Sequence, residues 1–66
     1  MTENQQKLIR YFEALKGMEL DAYAMYQKAL PGISASIDRD ILSGIISDEQ
    51  RHAGIAQQII DLLKSK

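Results

Sequence analysis

The chain has 66 residues, of which 45% are hydrophobic and 26% are charged, and its net charge at pH 7 is −1. This composition predicts a single folded helical domain rather than a disordered chain, and the near-neutral charge excludes the basic surface of a nucleic-acid-binding protein. The absence of cysteine excludes disulfides, zinc ribbons and cysteine-ligated iron centres, and no apolar run is long enough for a signal peptide or a transmembrane helix.

A first helix is predicted over about residues 3–30. The segment Thr2-Glu3-Asn4-Gln5 has the pattern of a capping box, which favours a helix start near its second residue. The helix ends where Pro31 and Gly32 favour a turn over about residues 31–34. Between these ends, mostly apolar residues recur at steps of three and four, as on the inner side of a helical bundle: Leu8, Phe12, Leu15, Glu19, Ala22, Tyr26 and Ala29.

A second helix is predicted over about residues 35–64, with Ser34 or Ser36 as its N-cap. Its stripe at three- and four-residue steps contains two polar positions: Leu42, Ile45, Glu49, His52, Ala56, Ile59 and Leu63. Burying a carboxylate and an imidazole without partners costs several kcal/mol. A divalent metal ion supplies a partner for both, because Glu at i and His at i+3 can bind one ion, as they do in di-iron helical bundles.

The glutamate of the first stripe is expected to meet this pair. Glu19 lies about twelve residues before the turn and Glu49 about seventeen after it, which places both about 20 Å from the turn on antiparallel helices. The sequence therefore predicts a metal site formed by Glu19, Glu49 and His52. Three ligands are too few to enclose a six-coordinate metal, whereas two copies supply the four carboxylates and two imidazoles of a di-iron bundle.

Further apolar residues flank both stripes and make each apolar side wide. Those beside the first stripe are Ile9, Tyr11, Met18, Tyr23, Met25 and Leu30, and those beside the second are Ile41, Ile46, Ala53, Ile55, Ile60 and Leu62. One partner helix cannot cover so wide a side, and a lone hairpin would leave it in water. We therefore expect an all-α, antiparallel two-helix hairpin that dimerises into a four-helix bundle. It should be a homodimer at least, and the surplus apolar surface would also suit a larger ring.

Two segments resemble the encapsulated ferritins, and more broadly one half of ferritin-like and rubrerythrin-like bundles. They are MELDAYAMY at 18–26 and DEQRHA at 48–53, and the two-helix layout extends the resemblance over most of the chain. The resemblance implies that Glu19 and His52 are terminal ligands and that Glu49 bridges two iron ions per dimer, with Mn or Zn as substitutes. Tyr26 and Asp48 match residues that surround the ligands, and such an aspartate orients a ligating histidine.

The same resemblance implies a ferroxidase that oxidises Fe(II) to Fe(III) for iron storage or detoxification. It also implies an encapsulin shell as a partner. We expect the protein to be cytoplasmic, free or inside such a shell, and to have no nucleic-acid or membrane partner. The sequence departs from the family in two places. The family has acidic residues that guide metal entry at the positions of Met18 and Asp21, so at most one of these carboxylates is present here. The family's C-terminal targeting tail has no counterpart in the sequence. We therefore expect either a truncated chain or a protein that works outside a shell.

Other interpretations of these residues remain open at this point. The protein could be a peroxide-scavenging di-iron protein, or a structural helical dimer or adaptor in which buried polar residues fix the register of the helices. In the structural case His52 is a hydrogen-bonded core residue and Tyr26 packs in the core. Asp48 then pairs with Arg51 or Arg39.

Overall fold

The computed structural model describes residues 1–65 as two long α-helices joined by a short turn. Helix α1 spans Glu3–Ala29, a 3-10 turn spans Leu30–Gly32, and helix α2 spans Ser36–Lys64. The helices lie side by side and antiparallel, in a hairpin with extents of 50 × 14 × 11 Å. The described residues contain no strand, so the predicted all-α fold is confirmed. No helix within them is long and apolar enough to cross a membrane.

The starts of the two helices differ in how they are capped. At α1 the predicted capping box is present: the backbone N–H of Gln5 donates to Thr2 Oγ1 at 3.1 Å, and the N–H of Thr2 donates to Gln5 Oε1 at 2.8 Å. At α2 the prediction of a serine N-cap was wrong, because Ala35 occupies that position without a side-chain hydrogen bond. Asp38 in the first turn still places negative charge near the positive helix end.

The side of α2 that faces α1 is rotated from the predicted stripe. Buried and half-buried residues form a row at steps of four and three, which we call the inner stripe of α2: Leu42, Ile46, Glu49, Ala53, Ala56, Ile60 and Leu63. Ile45 and His52, which the predicted stripe included, are exposed in the single hairpin. The predicted stripe and the inner stripe share four positions and differ by one residue at the other three. Both step by three and four, so periodicity did not distinguish them.

Helix α1 shows a similar rotation. Its inner stripe contains one buried residue, Ile9, and six half-buried ones, again at steps of three and four: Ile9, Phe12, Lys16, Glu19, Tyr23, Tyr26 and Leu30. Leu8 and Ala29, which the predicted stripe included, are exposed. Glu19 and Tyr26 belong to both rows, so the glutamate predicted to face α2 does so.

Each helix also carries an outer stripe, one residue N-terminal to its inner stripe at every position. The outer stripe of α1 is Leu8, Tyr11, Leu15, Met18, Ala22, Met25 and Ala29, and that of α2 is Ile41, Ile45, Asp48, His52, Ile55, Ile59 and Leu62. An offset of one residue turns a stripe by about 100°. Because the helices are antiparallel, this offset turns both outer stripes to the same side of the hairpin, which we call the apolar face.

The opposite side of the hairpin is polar and carries a hydrogen bond and an ion pair that join the helices. Lys16 Nζ donates a hydrogen bond to Gln57 Oε1, and Lys64 lies 3.8 Å from Glu13. Within α2, Gln57 Nε2 also donates to Asp61 Oδ1 at 2.8 Å. The two contacts between the helices lie in the half of the hairpin remote from the turn.

Candidate metal centre

Three potential metal ligands converge at mid-height in the hairpin. Glu19 comes from the middle of α1, whereas Glu49 and His52 come from the middle of α2, one turn apart. One ligand atom from each of the three side chains lies within 4.8 Å of the other two. The structure therefore brings together the three residues that the sequence predicts as metal ligands, at a spacing that could hold one ion.

Glu19 has an oxygen that lacks a hydrogen-bond partner. Its side chain is only 21% exposed, and its Oε2 atom is buried without a partner among the described residues. His52 Nδ1 is the nearest basic group, at 3.6 Å, which is too long for a hydrogen bond. A buried carboxylate oxygen left in this state destabilises the fold, so Glu19 offers a lone pair that a cation would satisfy.

Glu49 is held close to a second carboxyl group. Its pKa is raised above the ordinary value of 4.5, chiefly because its carboxyl group lies within hydrogen-bonding reach of the Glu19 carboxyl group. Desolvation and the negative charge of Glu19 raise the pKa further, Asp48 adds to it, and His52 opposes the shift. Two carboxyl groups placed this close together are also suited to share a metal ion, since the ion neutralises their repulsion.

His52 lies on the apolar face, where its side chain is accessible to solvent. Its side chain is 47% exposed, and the described residues contain no buried polar or charged residue, so burial of the imidazole in a four-helix bundle stays a prediction. The exposure of His52 follows from the offset between the stripes, because Glu49 belongs to the inner stripe and His52 to the outer one. The cluster is consequently covered on the polar side of the hairpin and accessible from the apolar face.

An open groove of about 200 Å³ runs from the cluster along the apolar face. Its walls come from both helices and consist of Phe12, Leu15, Glu19, His52, Ile55, Ala56 and Ile59. The sequence pattern places these residues in the predicted stripes or beside them but does not predict a groove. The sequence signal for this groove is the spacing of its residues, since Leu15 lies one turn from Glu19 and Ile55 one turn from His52.

Two further residues were predicted to support the ligands, and neither contacts them in the single chain. Tyr26 is half-buried on the inner stripe, two turns or about 10 Å along α1 from Glu19. Asp48 is exposed and pairs with Arg51 across 3.4 Å, as in the structural interpretation of this residue. Its place on the outer stripe directs it to the apolar face.

Comparison of the chain with protein-family models, curated proteins and solved structures gave no match. The resemblance to encapsulated ferritins therefore stays a prediction. Support for a metal centre comes from the convergence of Glu19, Glu49 and His52 at one point of the hairpin.

Proposed function

We propose that the protein is a di-iron ferroxidase, which binds Fe(II) as its substrate at Glu19, Glu49 and His52 and oxidises it to Fe(III). The observation that carries the proposal is the buried Oε2 of Glu19, which has no hydrogen-bond partner within the described residues and lies beside a second carboxyl group and an imidazole. A divalent cation satisfies all three groups at once. Exposed acidic residues that merely repel one another would not leave a buried atom of this kind.

The chemistry of the ligands favours iron over most other metals. Each chain contributes two carboxylates and one imidazole, a set that suits Fe(II) and Mn(II). Structural zinc sites usually have more nitrogen or sulfur ligands. Carboxylate-rich ligation also stabilises Fe(III) more than Fe(II), because the ion of higher charge gains more from negative ligands. Oxidation of bound Fe(II) is therefore favoured.

A complete site needs ligands from two chains. Three side chains cannot fill the coordination sphere of a six-coordinate ion, whereas two copies together supply four carboxylates and two imidazoles. This is the ligand inventory of ferritin-like di-iron bundles. In the proposed dimer, Glu49 bridges the two irons, and Glu19 and His52 each bind one of them.

The reaction requires an external oxidant and a route for protons. Two Fe(II) ions give two electrons to O2, which takes up two protons and leaves as H2O2; with peroxide as oxidant, the two electrons and two protons yield two waters. The raised pKa of Glu49 makes iron binding at this site compete with protons, so the affinity for iron should rise with pH. A dimer of hairpins has no cavity for a mineral, so stored Fe(III) would pass to a surrounding shell such as an encapsulin.

Stopped-flow absorbance with aerobic Fe(II) tests the proposal. We expect oxidation faster than in buffer and saturation at about two irons per dimer in the first turnover. Glu49→Ala should slow oxidation most, and Glu19→Ala and His52→Ala should each remove one ligand per chain. Asp40→Ala, an exposed acidic position on α2, is the matched control and should behave as wild type. Wild-type oxidation no faster than buffer, at an iron loading confirmed by elemental analysis, would leave a metal-stabilised structural dimer as the better account.

A further inference from the structure

The groove beside the metal cluster joins an apolar wall to an acidic end. Its apolar wall comes from both helices and consists of Phe12, Leu15, Ile55, Ala56 and Ile59. Glu19 and His52 line the same groove at its acidic end. A metal ion contacts only the ligands and makes no use of the apolar wall. The whole groove suits a ligand that combines a cationic head with a short apolar tail.

The acidic end of the groove has no cationic side chain of its own. Oε2 of Glu19 is buried without a hydrogen-bond partner among the described residues, and the Glu49 carboxyl group lies within hydrogen-bonding reach of Glu19. Lys16, one turn from Glu19, donates its hydrogen bond on the polar side of the hairpin, and Arg51 pairs with Asp48. The cation that would satisfy these two carboxylates therefore has to come from outside the hairpin.

A primary ammonium group matches the three groups at the acidic end. It carries three N–H donors and no acceptor, and Glu19, Glu49 and His52 each present one ligand atom within 4.8 Å of the other two. The carboxylates accept hydrogen bonds, and a neutral imidazole accepts through its unprotonated nitrogen. Hydrogen bonds from an ammonium to carboxylates are charge-assisted, which makes them stronger than neutral ones.

The dimensions of the groove set the size of the tail. Phe12 lies two turns, or about 10 Å, along α1 from Glu19, and Ile59 lies two turns along α2 from His52, both on the side away from the turn. The groove volume of about 200 Å³ is below the roughly 300 Å³ of the smallest typical ligand pockets. A short, straight alkyl tail such as hexyl fits this space and buries apolar surface against both helices. The proposed dimer would enclose the groove, which also limits the ligand to this size.

We propose that the metal-free cluster and its groove bind a primary alkylammonium ion, with the head at the three ligands and the tail along the apolar wall. Because the head occupies the atoms that would bind iron, the alkylammonium ion and Fe(II) exclude each other. Only this competition rests on the proposed function. Binding of the alkylammonium ion itself rests on the groove and the unpaired carboxylates, and it holds whether or not the protein oxidises iron.

Calorimetric titration of the metal-free protein with hexylammonium chloride, in the presence of a chelator, tests the proposal. Two probes separate the parts of the ligand: methylammonium has the head without the tail, and hexanoate has a similar tail with the opposite charge. We expect each to bind at least about 10-fold more weakly than hexylammonium. Equal binding of methylammonium would overturn the role of the groove, and equal binding of hexanoate would overturn the role of the carboxylates. No binding of hexylammonium at millimolar concentration would overturn the proposal as a whole.

Two substitutions assign the contacts within the protein. Glu19→Gln keeps the shape of the side chain, removes its charge and should weaken hexylammonium binding at least about 10-fold, whereas Glu13→Gln on the polar side should not change it. Ile55→Ala should weaken hexylammonium binding several-fold. Leu20→Ala is its matched control, because Leu20 lies on the polar side and is 43% exposed against 42% for Ile55. Unchanged affinity in Glu19→Gln or Ile55→Ala, with helicity preserved by circular dichroism, would contradict the proposed contacts.

The outcomes are separable from those of the iron experiments. Hexylammonium binding that depends on Glu19 and Ile55 supports the proposal even if the protein fails to oxidise iron. Fe(II) added without oxygen should lower the apparent affinity for hexylammonium as it fills the cluster. Ile55→Ala should retain its affinity for Fe(II), whereas Glu19→Gln should lose affinity for both ligands. If Fe(II) fills the cluster and leaves hexylammonium binding unchanged, the alkylammonium ion lies elsewhere and the proposal is overturned.

Discussion

His52 Nδ1 lies 3.6 Å from Oε2 of Glu19, although the two residues are 33 positions apart and lie on different helices. The oxygen is buried and the imidazole is largely exposed, so the pair spans the boundary between the interior of the hairpin and its apolar face. A ligand set placed on such a boundary is half-enclosed by one chain. The second half of the enclosure has to come from whatever covers the face.

Disruption of the apolar face should dissociate the protein. Met25→Glu places a charge on the outer stripe of α1, and we expect its dimer dissociation constant to rise at least about 100-fold, because the contact is lost in both copies. Leu20→Glu, on the polar side, should leave association unchanged. Sedimentation equilibrium measures both variants, with and without Fe(II). Metal should strengthen association in the wild type, and a stable monomer that binds metal tightly would contradict the shared site.

Removal of a ligand should separate metal binding from folding. His52 is exposed, so His52→Ala should change the free energy of unfolding of the metal-free protein by no more than about 0.5 kcal/mol and preserve its helicity by circular dichroism. Calorimetric titration should show that metal affinity falls by more than the roughly 10- to 100-fold typical of outer-shell changes. Unfolding of the metal-free variant together with unchanged metal stoichiometry would make His52 a structural residue.

The contribution of Glu49 to the stability of the metal-free protein should fall as pH rises above 4.5. The pKa of Glu49 is raised in the folded state, so between 4.5 and that higher pKa the folded chain binds more protons than the unfolded chain. The stabilisation is fully present below pH 4.5 and is lost as pH rises through the folded pKa. Glu49→Gln should remove this part of the pH dependence, and Asp40→Asn should retain it. Urea titrations at several pH values and fixed protein concentration measure the free energy of unfolding. If this free energy changed with pH equally in Glu49→Gln and wild type, the pairing of the two carboxyl groups would be contradicted.

Asp48 and Arg51 should differ in their effect on metal binding. If Asp48 orients a ligating His52, as the resemblance implies, Asp48→Asn should weaken metal binding about 10- to 100-fold. Arg51→Gln breaks the same 3.4 Å ion pair and should leave metal affinity unchanged. As a surface ion pair alone, Asp48 would contribute no more than about 1 kcal/mol of stability, and both variants would then bind metal as wild type does.

Tyr26→Phe should have a smaller effect than any ligand substitution. Tyr26 lies about 10 Å along α1 from Glu19, so its hydroxyl is too remote to replace a ligand. We expect iron binding to be retained, with a modest change in the oxidation rate measured by stopped flow. A loss of oxidation as large as that of Glu49→Ala would instead give Tyr26 a direct part in electron transfer.

Much of this architecture could be predicted because its signals are local. The capping box at Thr2, the Pro31-Gly32 turn and the steps of three and four residues define two helices, and matched distances from the turn bring Glu19 to Glu49. The rotation of the helices could not be predicted, since Ile45 and Ile46 are equally apolar and belong to rows with the same spacing. This ambiguity is why the predicted stripe combined residues of the inner stripe with Ile45 and His52 of the outer stripe. The N-cap at Ala35 was missed because two neighbouring serines gave a stronger local signal.

The one-residue offset between the inner and outer stripes also bears on which side of α2 packs against α1. A rotation of α2 by about 100° would exchange its two apolar rows, and either row offers α1 a comparable hydrophobic contact. Hydrophobic burial alone therefore does not determine the rotation. The hydrogen bond from Lys16 to Gln57 and the ion pair between Glu13 and Lys64 join the helices in the observed rotation. In this rotation Glu49 of the inner stripe, and not Asp48 of the outer stripe, lies beside Glu19.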